Sequence, residues 1–559
     1  MSERIYRSSY PPITVPTDLS IFQFFELYNP DDVIQDKVIL QEFERPERKL
    51  TYGGARRQAA LGAAALQNGL GLCSGDTILI IGSNTLDWIT TAHAAMWAGI
   101  TVAAASPFAS AHEYVYYIGV TNPKIVFCDP GTLMETVKKA YSLFSAGQSK
   151  PHLLGLGERG TAERAFPQDF VPDVKDPLPC FDLGGKDNRT VPAAIVFSSG
   201  TSGRPKAVQE SHHNLIAHML GPRVGTPENF SSTQREVFFA PMGHIYGVLT
   251  ALLVPVFAGS QTILLRKYLF QDYIKAAVSV RATFLRLVPP TATAMAKDPW
   301  VAKQDLSSVQ TIQCAGAVLA PEIIGALEKM LKGVDIIQGY GLSEGGGATL
   351  KPFSAKRKAG SVGKLLPSTE ARLVDDDLHD VPPGQPGEIL LRGPSMFMGY
   401  KDNQEANYEA FPYGIGNWMR TGDVGRFDDE GFLYLTDRKK DLVKFKGNQV
   451  PPAELEDVLL SHPLVTEAGV CASWDDQQGT EVPTAYVNLA PTLSEGDRSK
   501  TLAEIRRYHD ERVAGYKKLR GGIFYLPVLP RSPTGKLLRR ELPARKALDA
   551  KQKAEKAKL

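Results

Sequence analysis

Ser198-Ser199-Gly200-Thr201-Ser202-Gly203-Arg204-Pro205-Lys206 is the stretch from which the fold of this chain can first be inferred. The apolar run 193–197 comes directly before it and predicts a buried strand. The glycines allow backbone N–H groups to approach an anion closely, the hydroxyls add donors, and Lys206 adds a positive charge. The spacing is not the Walker pattern, so this stretch alone leaves two interpretations open, a phosphate-binding loop and a flexible surface loop.

The composition is that of a folded protein with several packed units. The chain has 559 residues, of which 43% are hydrophobic and 22% charged. A chain of this length is too long to fold around a single hydrophobic core. Its 63 Lys and Arg residues against 61 Asp and Glu residues give a net charge of +2, so no basic excess indicates a nucleic-acid partner. The five cysteines form no C-x-x-C pair, which argues against a disulfide framework or a zinc site and favours a reducing compartment.

The apolar segments predict neither secretion nor membrane insertion. The first residues lack the apolar core of a signal peptide. The longest apolar stretch, 248–265, is interrupted by Pro255, Gly259 and Ser260. We therefore expect a buried helix followed by a strand there, and no transmembrane segment.

An alternation of strand and helix signals predicts an α/β fold. Short apolar runs at 78–81, 101–105 and 124–128 are separated by segments of helical character. Asn84 is expected to cap the first helix, and Gly99 to end it. Such βαβ units imply a parallel sheet covered by helices.

Five further blocks follow the opening stretch along the chain. They are Pro-Met-Gly-His-Ile-Tyr-Gly at 241–247, Gln-Gly-Tyr-Gly-Leu-Ser-Glu at 338–344, Trp-Met-Arg-Thr-Gly-Asp at 418–423, the charged segment 437–449, and Pro-Arg-Ser-Pro-Thr-Gly-Lys-Leu-Leu-Arg-Arg at 530–540. Together and in this order, the six blocks resemble the core motifs of the adenylate-forming superfamily, which includes acyl- and aryl-CoA ligases, firefly luciferase and peptide-synthetase adenylation domains. They most resemble 4-coumarate–CoA ligase-like enzymes.

The resemblance implies a two-domain architecture. A large N-terminal domain with parallel or mixed sheets covered by helices would bind ATP and an acid, and would span residues 1–437. A hinge would follow at 438–440, with Lys440 at the hinge position. A small mobile C-terminal α+β domain, residues 441–559, would carry a catalytic lysine.

The resemblance also implies which residues bind ATP and AMP, with Thr201, Ser202 and Lys206 on the β- and γ-phosphates. Tyr340 resembles the ring that stacks on adenine, and Asp423 the carboxylate that accepts hydrogen bonds from the ribose. The complete expected set is Ser198, Ser199, Gly200, Thr201, Ser202, Gly203, Lys206, Gly316, Ala317, Gln338, Gly339, Tyr340, Gly341, Ser343, Asp423 and Arg438.

Four residues are expected to be catalytic. Lys536 resembles the lysine that enters the site only during adenylation, and Glu344 the carboxylate that holds Mg²⁺. His244 resembles a histidine beside the reacting carboxylate, although a lone histidine in an apolar stretch is usually structural. After hinge rotation, Lys444 and Gly447 resemble residues that face the adenylate and the CoA tunnel. The pair Arg539-Arg540 is expected on the surface.

The acid pocket is expected to be lined by His244, Tyr246, Ala317 and Gly341. Small residues beside Tyr246 favour a mid-sized apolar slot, and the absence of Asp and Glu from 241–265 argues against an amino acid. The chain departs from the usual motifs at Gly243, Val318 and Asn448.

These features predict an ATP-dependent, AMP-forming acid–CoA ligase that uses ATP, Mg²⁺ and CoA. An aryl or arylalkanoic acid is the first expectation, and a medium-chain carboxylic acid the second. An adenylating enzyme with another acceptor, such as a carrier protein or oxygen, stays open. A non-catalytic relative would be expected to lack Lys206, Glu344, Asp423 or Lys536, and all four are present.

The last three residues, Ala557-Lys558-Leu559, are similar to the S-K-L address that the peroxisomal import receptor binds. We therefore expect the peroxisomal matrix, or otherwise the cytoplasm, as the location of the protein.

Overall fold

The computed structural model describes residues 3–145, 150–198, 205–315, 319, 321–349, 358, 360–446, 448–490, 496–532 and 535–556. Some expected site residues lie outside the described residues. These are Ser199, Gly200, Thr201, Ser202, Gly203, Gly316, Ala317, Gly447 and the closing tripeptide 557–559.

The strands are numbered in chain order. They are β1 (Tyr6–Arg7), β2 (Val38–Glu42), β3 (Lys49–Thr51), β4 (Thr77–Ile81), β5 (Thr101–Ala105), β6 (Ile125–Cys128), β7 (His152–Leu156), β8 (Ala165–Phe166), β9 (Pro192–Ser198), β10 (Lys206–Ser211), β11 (Arg235–Phe238), β12 (Gln261–Leu264), β13 (Phe284–Leu287), β14 (Thr311–Ala315), β15 (Asp335–Leu342), β16 (Gly345–Thr349), β17 (Lys364–Leu365), β18 (Glu370–Val374), β19 (Gly387–Arg392), β20 (Met419–Phe427), β21 (Leu433–Arg438), β22 (Val443–Phe445), β23 (Asn448–Val450), β24 (Val465–Asp475), β25 (Thr480–Leu489) and β26 (Ile523–Tyr525).

The α-helices are numbered in the same way. They are α1 (Ile21–Leu27), α2 (Tyr52–Ala64), α3 (Leu86–Trp97), α4 (Ala111–Thr121), α5 (Thr132–Ser142), α6 (His212–Gly225), α7 (Ile245–Gly247), α8 (Val254–Ala258), α9 (Phe270–Ser279), α10 (Pro289–Lys297), α11 (Pro321–Met330), α12 (Gln404–Ala410), α13 (Pro452–Leu460), α14 (Arg498–Asp510) and α15 (Pro543–Lys556).

The expected parallel sheet is confirmed. It has the strand order β10-β9-β5-β4-β6-β7-β8, and only the β9–β10 pair is antiparallel. Helices α3 and α4 form the crossovers between β4, β5 and β6, as the alternation of signals predicts. Side chains of both faces are buried, since Ile78 and Ile80 pack into one cluster whereas Leu79 and Ile81 pack into another. Strands buried on both faces explain the continuous apolar runs in the sequence.

The prediction that Asn84 caps α3 is wrong. The hydroxyl of Thr85, the next residue, accepts the hydrogen bond from the backbone N–H of Trp88. The Asn84 side chain instead donates to the carbonyls of Ala240 and Leu265, at 3.0 and 3.2 Å. Short polar residues in a row compete for the cap position, and tertiary contacts decide which one takes it.

Three further sheets complete the part of the chain up to β21. Their strand orders are β11-β12-β2-β3, β13-β14-β15-β16-β17 and β1-β18-β19-β20-β21. The pairs β13–β14 and β14–β15 are parallel, whereas β18 to β21 pair in antiparallel fashion. The stretch 248–265 forms a π-helical segment, α8 and β12, which confirms a buried helix followed by a strand. Among the residues that the structure describes, no helix is long and apolar enough to cross a membrane.

The last part of the chain has a hydrophobic core of its own. Its buried cluster runs from Val443 to Leu548 and is formed by β22 to β25 and α13 to α15 with their connections. Strand β24 pairs antiparallel with β25, and β25 pairs parallel with β26. The larger cluster of the preceding part contains residues from Ile21 to Leu433.

The expectation that Arg539 lies on the surface is wrong. Its guanidinium donates to both carboxylate oxygens of Glu456 on α13, at 3.0 and 2.6 Å. Its Nη1 atom lies 3.7 Å from Asp437 and 3.5 Å from Asp441, on the two sides of the expected hinge. Burial raises the pKa of Asp437 to about 6, and Arg539 opposes that shift. Arg539 therefore connects the segment that contains Lys536 to both sides of 438–440.

We predict that Arg539→Gln lowers the free energy of unfolding by about 3–5 kcal/mol, because it leaves buried carboxylates without their cation. Urea denaturation followed by circular dichroism measures the change. The matched control is Arg540→Gln, since Arg540 is exposed and should change stability by less than about 0.5 kcal/mol. Equal decreases in the free energy of unfolding for the two variants would contradict the stabilising role of the buried Arg539.

Candidate active site

The carboxylate of Asp423 is where the expected adenosine-binding residues meet. Asp423 on β20 accepts a hydrogen bond at 2.8 Å from the hydroxyl of Tyr340 on β15. Arg438, its partner across the β20–β21 ladder, places Nε 3.3 Å from the other carboxylate oxygen. A carboxylate has about four acceptor positions, so two remain for hydroxyl groups of a ligand. The geometry thus fits a carboxylate held in place to accept from a diol.

Lys536 lies beside this cluster. Burial first, and Arg438 second, lower the pKa of Lys536 to about 8, whereas Asp423 and Asp441 act in the opposite direction. The neighbouring Gly535 lies against the start of α10, because a Cβ there would be 3.2 Å from Val288. The structure therefore brings the C-terminal lysine to the site formed by β15, β20 and β21.

The charge of the same lysine acts on His244. It is the N-cap of α7, and its Nδ1 atom accepts a hydrogen bond from the backbone N–H of Tyr246 at 3.2 Å. Burial first, and the charge of Lys536 second, lower the pKa of His244 to about 4. An imidazole with that pKa is neutral near pH 7, so it can position a carboxylate without adding a charge.

Two residues, Asn84 and Gly243, position the block 241–247, which contains His244. The Oδ1 atom of Asn84 accepts from the backbone N–H of Met242 at 3.2 Å, in addition to its two donated hydrogen bonds. A Cβ at Gly243 would lie 2.3 Å from the carbonyl oxygen of Ala105 at the end of β5. Gly243, a departure from the usual motif, is thus required by the close packing of this block on the parallel sheet.

Lys206 and Glu344 meet around the ring of Tyr400. Ser198 ends β9, Lys206 begins β10, and the two residues are paired across the antiparallel ladder. The ammonium of Lys206 lies 4.8 Å from the ring centroid of Tyr400 and 3.9 Å from Glu409. The hydroxyl of Tyr400 donates to Glu344 at 3.0 Å.

The surroundings of Glu344 fit a hard divalent cation. Glu344 is half-buried, and the Tyr400 hydrogen bond occupies only part of its acceptor capacity. Glu210 on β10 is fully buried, and neither of its carboxylate oxygens has a hydrogen-bond partner within the described part of the chain. Burial first, and Glu344 second, raise the pKa of Glu210 well above its ordinary value. Mg²⁺ commonly binds one or two carboxylates together with phosphates and waters. The carboxylates of Glu344 and Glu210 can supply the protein part of such a set of ligands.

The remaining residues of the block 338–344 line the same edge. Gln338 is buried and accepts a hydrogen bond from the backbone N–H of Leu319 at 2.8 Å. Gly339 is paired with Ala315 on β14, and a Cβ at Gly341 would meet open space. Ser343 is buried in the turn that leads to β16.

Two expected residues lie away from this cluster. Lys444 on β22 is exposed and acts electrostatically on Asp376, and its backbone N–H donates to Glu481. Lys440 is an exposed residue in the turn after β21. The structure therefore does not bring Lys444 together with Lys536 and His244.

A polar network behind Tyr246 was missed from the sequence. Arg286 on β13 is almost fully buried, and it donates to Glu236 on β11 and to Gln313 on β14, both at 2.6 Å. Arg286 also interacts electrostatically with Tyr246, whose pKa is raised to about 12 by burial first. These residues are far apart in the chain and belong to no block, so no sequence signal indicated their proximity.

Comparisons with known proteins extend over almost the whole chain. Residues 32–401 match the family model described as "AMP-binding enzyme", and residues 454–536 match "AMP-binding enzyme C-terminal domain". The chain is 32% identical to the Arabidopsis thaliana protein "4-coumarate--CoA ligase-like 9" over 88% of its length and 84% of that protein. It is 34% identical to the Arabidopsis thaliana "Peroxisomal OPC-8:0-CoA ligase 1" over 85% of its length and 84% of that protein.

Solved structures share the fold. The anthranilate CoA ligase AuaEII in complex with anthranoyl-AMP superposes with a TM-score of 0.83 at 23% identity, covering 96% of this chain and 99% of that one. ATP-bound MatB from Rhodopseudomonas palustris gives a TM-score of 0.80 at 24% identity, with coverages of 96% and 99%. The expected α/β architecture of a large N-terminal and a smaller C-terminal domain is confirmed. With both family models and relatives above 30% identity matching, the chain belongs to the AMP-binding enzyme family of adenylate-forming proteins.

Proposed function

We propose that this ATP-dependent, AMP-forming acid–CoA ligase acts on an aryl or arylalkanoic acid, with a medium-chain carboxylic acid as the second candidate. The enzyme joins an acid to CoA at the expense of ATP, and AMP and pyrophosphate are released. The observation that best supports the assignment of its site is the meeting of Lys536, Asp423 and Arg438 beside His244. This arrangement places the buried ammonium of Lys536 beside the carboxylate of Asp423, which is suited to bind a ribose diol.

In the first half-reaction, an oxygen of the acid attacks the α-phosphorus of ATP, and the bond to the departing pyrophosphate breaks. Lys536 bridges the acid carboxylate and the α-phosphate as negative charge builds up there. The neutral His244 orients the carboxylate of the acid. Catalysis of the attack then depends mainly on holding the two reacting groups in position. Lys206, with Ser198, Ser199, Gly200, Thr201, Ser202 and Gly203, holds the outer phosphates.

Adenosine lies along β15 and β20. Asp423 accepts hydrogen bonds from the two ribose hydroxyls, while Tyr340 and Arg438 keep its carboxylate fixed. The ring of Tyr340 stacks on adenine. Gly316, Ala317, Gln338, Gly339, Gly341 and Ser343 line the same channel, with Ser343 next to the α-phosphate.

The residues present also fit a magnesium ion. Glu344 would hold Mg²⁺, which when bound neutralises phosphate charge. Tyr400 fixes the orientation of the Glu344 carboxylate through its hydroxyl hydrogen bond.

In the second half-reaction, the domain 441–559 rotates about Lys440 and withdraws Lys536. The CoA thiolate then attacks the acyl carbonyl, a thioester bond forms, and AMP leaves with both electrons of the broken acyl–oxygen bond. Lys444 and Gly447 face the adenylate and the CoA tunnel only after this rotation. The exposed position of Lys444 away from Lys536 supports a role in a second arrangement.

We predict that Lys536→Ala lowers the rate of pyrophosphate release from an acid and MgATP by about 100-fold or more, because it removes a positive charge that stabilises the transition state. Thioester formation from supplied acyl-AMP and CoA should be largely preserved. Both half-reactions are measured with a panel of phenylacetate, cinnamates, benzoates, hexanoate and octanoate. Wild-type protein should form AMP in a CoA-dependent manner with at least one class.

Equal loss of both half-reactions in Lys536→Ala would contradict the role of this lysine. Pyrophosphate release by the wild type without CoA-dependent AMP formation would instead indicate a different acyl acceptor. Lys518→Ala is a suitable control, because Lys518 lies in the same domain outside the cluster around Asp423.

We also propose that the peroxisomal import receptor binds Ala557-Lys558-Leu559 and delivers the protein to the peroxisomal matrix. The name of one relative, a peroxisomal CoA ligase, supports this location.

A chain that carries an N-terminal fluorescent tag should colocalise with a peroxisomal marker, and deletion of Leu559 should disperse it while activity in vitro is unchanged. Lys558→Arg, which keeps the positive charge, is the control and should still be imported. Unchanged peroxisomal location after deletion of Leu559 would contradict the proposed address.

A further inference from the structure

Glu210 on β10 is a buried carboxylate that lacks a compensating partner within the described residues. Its side chain is fully buried, and neither of its carboxylate oxygens has a hydrogen-bond partner in that part of the chain. The Nε2 atom of His218 lies 3.9 Å from Glu210 Oε2, which is too long for a hydrogen bond. Burial lowers the pKa of His218 to about 4, so its ring is neutral near pH 7 and supplies no positive charge. A carboxylate in such a place is costly unless a cation or a proton neutralises it.

The side chains of Lys206, Tyr400 and Glu210 lie on one face of β10. Residues two apart on a strand point to the same side, so Lys206, Val208 and Glu210 share a face. Val208 is bridged to Tyr400 in antiparallel fashion, and directly opposed residues of such a pair also point to the same side. The distance of 4.8 Å between the Lys206 ammonium and the centroid of the Tyr400 ring agrees with this placement.

Tyr400 brings the carboxylate of Glu344 to the same face. Its hydroxyl donates to Glu344 at 3.0 Å, and the backbone N–H of Phe397 donates to the carbonyl of Glu344, also at 3.0 Å. Asn407 fixes the backbone of Tyr400, since its Oδ1 atom accepts from the N–H at 2.6 Å and its Nδ2 atom donates to the carbonyl at 2.9 Å. Glu344 is thereby held at the face of β10 that carries Glu210.

Lys206 does not compensate these two carboxylates. It is four residues away from Glu210 along β10, which corresponds to about 13 Å. Its ammonium lies instead over the ring of Tyr400 and 3.9 Å from the exposed carboxylate of Glu409. Among the described residues, burial first and the charge of Glu344 second raise the pKa of Glu210, and no cation opposes them. The face thus has a cation at one end and two carboxylates at the other.

We infer that Glu210 and Glu344 together hold a divalent cation before any nucleotide binds. This inference rests on the proposed function, because the ion is the magnesium ion of the same site. The sequence predicts one carboxylate for this ion, Glu344, with phosphates as further ligands. A second carboxylate changes the order of binding, because two negative ligands attract a hard cation without the charge of the phosphates. ATP would then bind to a site in which the charge of the carboxylates is already neutralised.

Mn²⁺ is the probe for this site, since it takes the same oxygen ligands as Mg²⁺ and is detected by electron paramagnetic resonance. The nucleotide-free enzyme should bind Mn²⁺ that an excess of Mg²⁺ displaces. Glu210→Gln should weaken this binding by about tenfold or more, because it removes one of two negative ligands, and Glu344→Gln should do the same. Absence of displaceable Mn²⁺ in the wild type, or an unchanged affinity in Glu210→Gln, overturns the inference and means that a proton alone neutralises Glu210.

Asp377→Asn is the control for Mn²⁺ that binds elsewhere. Within the described residues, Asp375, Asp377 and His379 form an exposed group whose ligand atoms lie within 4.8 Å of one another. The Mn²⁺ whose binding Glu210→Gln weakens should bind Asp377→Asn with wild-type affinity. Its loss in Asp377→Asn would assign the ion to the exposed group and overturn the inference.

Thermal unfolding gives a second measurement and shows that the variant is folded. The Tm of the nucleotide-free wild type should rise as Mg²⁺ is added, since an ion that binds only the folded state stabilises it. Glu210→Gln should melt at least as high as the metal-free wild type, because it removes an uncompensated buried acid, and its Tm should not respond to Mg²⁺. Equal rises of Tm in the two proteins would overturn the inference.

The outcomes separate the two proposals, because the metal assays contain neither ATP nor acid. Mn²⁺ binding that is absent, or that Glu210→Gln leaves unchanged, overturns the inference and leaves the ligase assignment standing. No CoA-dependent AMP formation with any acid in the wild type overturns the proposed function, and the inference about its magnesium ion with it.

Discussion

The carboxylate of Asp423 is the point on which the geometry of the site depends. It interacts with three parts of the chain that are distant in sequence. It accepts a hydrogen bond from Tyr340 on β15, pairs with the guanidinium of Arg438 on β21, and raises the pKa of Lys536 through its charge. A buried carboxylate is stable only when it is compensated, so each of these groups constrains the others. Any movement of Lys536 out of the site therefore changes the electrostatic balance around Asp423.

Buried cations perform a second task in this molecule, which is to connect segments that are distant in the chain. Arg539 contacts carboxylates on both sides of the segment 438–440, and Arg286 connects β11, β13 and β14 behind Tyr246. Arginine suits both places because its planar group donates in several fixed directions at once. The first network joins β21, α13 and the segment that contains Lys536, and the second lies beside Tyr246. Both are placed where a purely apolar packing would leave the geometry less determined.

The sequence predicted the parts of the fold that depend on local pattern. The strands at 78–81, 101–105 and 124–128 were identified from apolar runs, and the family from six blocks in order. The prediction that Asn84 caps α3 is wrong because Thr85 can cap as well, and the contacts of Asn84 with Ala240, Leu265 and Met242 decide between them. The sequence predicts Arg539 on the surface, because a pair of charged residues near a chain end is usually exposed. Arg286, Glu236 and Gln313 lie on three different strands, and nothing in a single sequence reports such a meeting.

The proposed function requires that the buried Lys536 keeps its charge while it takes part in adenylation. Its pKa of about 8, well below the ordinary value for lysine, follows from burial and from Arg438. The most direct test is the pH dependence of kcat/KM for adenylation, which reports ionisations of the free enzyme. The ammonium is the form present below its pKa, so the account predicts a rate that falls as the pH rises through about 8, and Lys536→Arg should lack this fall. A profile that stays level up to the ordinary pKa of lysine in the wild type would contradict it.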